Sequence, residues 1–174
     1  MSTAAEERLG RVRRRIDDLE AKVKAGADGA AARVQRHLDG LKRDEEAARV
    51  SAHRHAGVVD ARLEQLDNEL DIVEHRLQAE LADDRESFVG AVEAELRDWD
   101  VALERAQAKA AARTGAARAK LELAVTDLRK RRTAATETLR DVRGSTDDAW
   151  RESKARVLAE LDALKHKADE FLDE

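Results

Sequence analysis

The chain has 174 residues, a net charge of −5 and 41% charged side chains, with no Pro, Cys or Tyr and only 2% aromatics. The lack of Cys excludes disulfides, thiolate nucleophiles and Cys-ligated zinc, and 13 Val and 2 Ile with so few aromatics are too little β-forming material for a sheet. No apolar run approaches the roughly 18 residues of a transmembrane helix.

What remains is dominated by alanine: 34 Ala stand against 39 larger apolar side chains. Ala, Leu, Arg, Glu and Lys are strong helix formers, and their abundance at helical spacing points to long helices or coiled coils. The large apolar residues are too few for a thick core but enough for narrow seams.

At the N-terminus, Met1–Glu7 lacks the apolar stretch of a secretory signal, so a cytoplasmic location is expected. Thr3 with Glu6 reads as a capping box. An apolar register in steps of three and four then runs Leu9, Val12, Ile16, Leu19, Val23, across Gly26-Ala27-Asp28-Gly29, to Val34, Leu38 and Leu41. Beyond Gly57 it resumes at Val59 and passes through Leu63, Leu66, Leu70, Val73, Leu77 and Leu81. After Asp83-Asp84-Arg85-Glu86 it continues with Phe88, Val92, Leu96, Trp99 and Leu103 into the Ala-rich stretch from Ala106 to Ala119, which contains Thr114-Gly115. Leu121, Val125, Leu128, Ala135, Leu139 and Val142 lead to Gly144-Ser145-Thr146-Asp147-Asp148, where Ser145 and Asp148 read as an N-cap box for the last segment. That segment carries Trp150, Val157, Leu161, Leu164, Ala168 and Phe171. The mean step from Leu9 to Phe171 is 3.6, the period of a straight α-helix.

Without Pro, these five Gly-and-cap sites are the places where the chain can turn. Charge selects among them, because residues 1–57 carry a net +3, residues 58–115 a net −8 and residues 116–174 a net 0. Turns at Gly57 and Gly115 set Glu93, Glu95, Asp98, Asp100 and Glu104 level with Arg11, Arg13, Arg14 and Arg15 on one side. On the other side they face Arg129, Lys130, Arg131 and Arg132. Flanking charges of this kind set orientation in coiled coils. The sequence therefore predicts an all-α fold: one domain over 1–174, built as a long antiparallel three-helix bundle resembling a spectrin repeat in shape. Its helices span about 3–56, 58–114 and 116–173, each roughly 85 Å long. The possible breaks near 26–29, 83–86 and 144–148 then share one height, either by coincidence or as a waist where the bundle bends or opens. A hairpin stalk is the runner-up.

The chemistry-bearing residues are sparse. None of His37, His53, His55, His75 and His166 has a histidine four residues away or a Glu three residues before it, so neither a helical metal pair nor Glu-x-x-His is present. There is no Gly-rich phosphate loop, nucleophile elbow or HExxH. The expectation is a protein that is not an enzyme and uses no cofactor or metal. The two basic clusters, Arg11, Arg13, Arg14 and Arg15, and Arg129, Lys130, Arg131 and Arg132, are the candidate interaction residues. Acids at Asp17, Asp18 and Glu20 follow the first cluster, and a net-negative chain repels nucleic acid, so pairing between helices is the expected role. Phe88, Trp99, Trp150 and Phe171 all fall on the apolar register and are the candidate core aromatics.

Segments such as Val92-Glu93-Ala94-Glu95-Leu96 and Val157-Leu158-Ala159-Glu160-Leu161 resemble the repeated amphipathic helices of exchangeable apolipoproteins and of granule-coating phasins. That resemblance implies a bundle that opens at a hinge and lays apolar faces on lipid. Alanine makes up much of the face from Ala102 to Ala119, which lowers the expected membrane affinity. The expected function is structural: a non-enzymatic coiled-coil scaffold that binds a protein partner or a second copy of itself. Ala106–Ala119 is the first choice for close helix approach. A lipid- or granule-surface protein is the alternative, and nucleic-acid association ranks third.

Overall fold

The computed structural model describes residues 3–26, 28–52, 56–146 and 149–172. They form six α-helices: α1 (Thr3–Ala25), α2 (Asp28–Ala52), α3 (Ala56–Leu81), α4 (Arg85–Ala111), α5 (Gly115–Gly144) and α6 (Trp150–Leu172). No strand occurs among the described residues. The chain divides into two compact units, Met1–Leu81 and Ala82–Glu174, where the sequence was read as one domain. Each unit contains three helices.

In the first unit the apolar register forms one core. Leu9, Val12, Ile16, Leu19 and Val23 of α1 join Val34, Leu38, Leu41 and Ala48 of α2 and Leu63, Leu66, Leu70, Val73 and Leu77 of α3. Burying a side chain of this size contributes about 1.5–3 kcal/mol, so these narrow seams are the main source of cohesion. The ion pairs give the directions. Arg13–Glu45 and Glu20–Lys42 run in opposite senses, so α1 and α2 are antiparallel. Arg8–Asp60, Arg15–Asp71 and Lys22–Glu74 advance together, so α1 and α3 are parallel.

In the second unit, Phe88, Val92, Leu96, Trp99, Leu103, Ala106 and Ala110 of α4 supply one side of the core. Val125, Leu128, Ala135, Leu139 and Val142 of α5 and Trp150, Val157, Leu161, Leu164 and Ala168 of α6 supply the others. Glu93–Arg143 and Asp100–Arg132 make α4 and α5 antiparallel. Where α4 begins, Phe88 and Trp150 lie 6.1 Å apart between ring centroids. Lys154 Nζ sits 5.4 Å and 5.9 Å from these rings and donates to Ala82 O at 2.8 Å.

The three long helices of the sequence reading are replaced by six shorter ones, the longest of which, α5, has 30 residues. Four of the five punctuated places end helices, so the 26–29, 83–86 and 144–148 breaks separate helices instead of bending continuous ones. A continuous register hides this. In a bundle every helix turns its seam to the same axis, so steps of three and four persist across a reversal as they do along a straight helix. Details at the ends differ too. The second turn falls between Ala52 and Ala56, which leaves Gly57 inside α3. Ser145 closes α5, its N–H and hydroxyl both donating to Val142 O, instead of opening α6. Asp148 and the side chain of Thr3 lie outside the described residues.

Candidate functional site

The sequence placed its candidate residues in two basic clusters, and the structure separates their roles. On α1, Arg13 and Arg15 are structural. Arg13 reaches the fully buried Glu45 at 3.3 Å, while Arg15 holds Asp71 at 2.5 Å and Glu74 at 3.3 Å. Burial alone would lower the Arg15 pKa, but the hydrogen bonds and charges of Asp71 and Glu74 outweigh it and raise the pKa above its ordinary value. Arg11 and Arg14 are exposed and make no side-chain ion pair or hydrogen bond among the described residues. Within its own unit this cluster pairs with Glu45 of α2 and with Asp67, Asp71 and Glu74 of α3, where the sequence reading expected Glu93 to Glu104. The cause is the reversal after Ala25, which brings α3 back alongside α1.

The second cluster lies on α5. Arg129 and Lys130 are exposed, and Arg131 pairs one turn back with Asp127 at 3.4 Å. Arg132 bridges to Asp100 of α4 at 2.7 Å and donates to Thr136 Oγ1 at 3.0 Å. Its Nε is buried with no acceptor, a state that ordinarily costs about 1–3 kcal/mol. Here the turn at Gly115 does set the acidic stretch of α4 beside the basic stretch of α5. Glu93, Arg132 and Thr136 line a groove of about 300 Å³ between the two helices, edged by Arg97, Arg140 and Arg143 as well. Sequence reading missed Arg97, Arg140 and Arg143, because each stands alone between acidic or apolar neighbours and no run of like charge marks it.

Of the four aromatics, Phe88, Trp99 and Trp150 are buried. Trp99 Nε1 donates to the buried Glu95 Oε1 at 3.3 Å. Phe171 is only half-buried, a correction to its core assignment, and lies under Lys167 at 4.4 Å and Lys120 at 5.9 Å. It lies at the end of α6, with the two lysine ammonium groups over its ring.

A third surface lies at the α4–α5 turn. Every residue from 111 to 120 is exposed, and Leu123 on α5 is 73% exposed. Ala116, Ala119 and Leu123 follow steps of three and four, so they share one face of α5. The buried alanines of the expected contact stretch, Ala106 and Ala110, belong to the unit's own core.

His53 and His55 lie outside the described residues, and His166 pairs with Glu170 at 3.5 Å. Among the described residues no group of three or more His, Asp or Glu is arranged to hold a metal ion, and no helix is long and apolar enough to cross a membrane. Comparison of the chain with protein-family models, with curated proteins and with solved structures finds no match.

Proposed function

We propose that this chain is a non-catalytic helical interaction module that docks a helix of a protein partner or of a second copy against the α4–α5 end. The observation that carries this reading is the exposed Ala116–Ala119–Leu123 face, which extends the helical surface past the core of its own unit. Small side chains let a second helix backbone approach closely, and one large apolar residue supplies a knob for it. An exposed Leu at such a centre is the kind of residue whose burial adds about 1.5–3 kcal/mol to a complex.

The test is light scattering after size exclusion, with Leu123→Arg as the variant. The reading expects the wild-type chain to form a homo-oligomer, or to retain a helical partner from native extract. Leu123→Arg should weaken either association by about ten-fold or more while leaving helicity unchanged. Flotation with anionic vesicles is the counter-test. A chain that stays monomeric, retains no partner and floats strongly supports the lipid- or granule-surface alternative instead.

A further inference from the structure

We propose that the groove between α4 and α5 is an anion site that holds a phosphate monoester group between Arg97 and Arg140. The two helices are antiparallel, and their charged residues face each other as rungs. Glu93 with Arg143 closes one rung and Asp100 with Arg132 another. Between these two neutralised rungs, Arg97 and Arg140 line the same groove from opposite helices, and neither has a side-chain ion pair or hydrogen bond among the described residues. Two like charges set across a seam are unfavourable unless an anion lies between them. The lining carries four guanidinium groups and the single carboxylate of Glu93, which Arg143 already engages.

The geometry selects the ligand class. A carboxylate has one edge and fills one guanidinium fork. A tetrahedral phosphate monoester offers three oxygens and close to two negative charges at neutral pH, so it can accept from two opposed forks together. The groove, at about 300 Å³ and open to solvent, admits the phosphate whether it is free or carried on a larger body such as a lipid headgroup.

Two probes test the proposal at low ionic strength. One is inorganic phosphate, followed by calorimetry or by amide shifts. The other is phosphatidylcholine vesicles containing phosphatidic acid, followed by flotation. The full chain is compared with Arg97→Gln/Arg140→Gln and with a control, Arg11→Gln/Arg14→Gln, which removes two equally unpaired charges from α1. Both pairs are exposed, so the variants should keep wild-type helicity. The expected result is binding of at least one probe that falls about ten-fold or more in the α4–α5 variant and under two-fold in the control. Arg97→Lys/Arg140→Lys, which keeps charge but loses the forks, should fall in between. Which probe binds identifies the source of the phosphate. Failure of both probes at millimolar concentration, or equal losses in the two Gln variants, overturns the site. Neither result bears on the Leu123 association, which is read by mass.

Discussion

Glu45 occupies a place that its neighbours reserve for an apolar side chain. Val34, Leu38, Leu41 and Ala48 are buried at steps of four, three and seven, and position 45 divides the last step into four and three. The carboxylate is fully buried, 3.3 Å from Arg13 and 3.3 Å from Arg49. Both arginines are about half exposed, so they stay hydrated without their partner, whereas the buried carboxylate has lost its water. Replacing such a group by an apolar one of similar size is often neutral or stabilising, by about 1–4 kcal/mol. Glu45→Leu should therefore melt at or above the wild-type temperature, while Glu45→Ala, which leaves a void, should cost roughly 1–3 kcal/mol. A Leu variant less stable than the Ala variant in urea melts would show that the ion contacts specify the packing. Arg132 of α5, between Leu128 and Ala135, holds a seam position in the same way but is only partly buried. These positions were readable in principle. The apolar register jumps from Leu41 past Glu45, and from Leu128 to Ala135, at the steps where a charged residue holds the seam. Polarity alone does not show that such a residue is inside.

At the scale of the element, helix ends rest on caps that the sequence only partly reveals. Asp84 caps α4 by accepting from Ser87 N at 2.8 Å and Ser87 Oγ at 2.7 Å. The Ser87 hydroxyl and N–H favour its charged form and hold its pKa below the ordinary 3.8. A depressed folded pKa means that the charge stabilises the fold above the unfolded value, and this contribution is lost as pH falls through the folded one. Asp84→Asn should therefore melt below wild type at pH 7, by a few degrees, and the gap should close once pH drops well below 3.8. A gap that stays constant down to pH 2 would refute a role for the charge. Glycine gives a second contrast. Gly115 opens α5 with φ +58°, a conformation that costs an L-residue roughly 1–2 kcal/mol, so Gly115→Ala should destabilise by that amount. Gly90 lies in the interior of α4 with open space where a Cβ would point, and Gly90→Ala should stabilise by about 0.5–1 kcal/mol. Thermal melts of the two variants should move in opposite directions. Four of the five punctuation sites were legible as helix ends, and the fifth, Gly57, lies just inside α3. Their geometry was not legible, because Gly with a capping residue serves a kink and a reversal equally well.

For the whole molecule, the charge pattern acquires a different meaning. Read as three long stretches, the chain carries +3, −8 and 0, which demands that the middle stretch face the other two. Divided at Leu81, the two units carry −2 and −3, so each is nearly balanced within itself. The acidic run from Asp60 to Glu74 meets Arg8, Arg15 and Lys22 of α1, and the acids of α4 meet the arginines of α5. The helical class was legible because composition and period both demand it. The partition into two units was not, since complementarity counted over the wrong segments yields an equally consistent pairing. The reversal of α2 against α1 decides between the two arrangements, and the chain lends itself to measuring it. It has no Cys, so Arg11→Cys with Ala47→Cys creates the only two labelling sites, both exposed. Spin labels on a continuous helix over these 36 intervening steps would lie roughly 54 Å apart. Double electron–electron resonance on the intact chain should instead give a single distance below about 25 Å, since packed helix axes lie only about 8–10 Å apart. A distribution centred near 50 Å would contradict the two-unit fold.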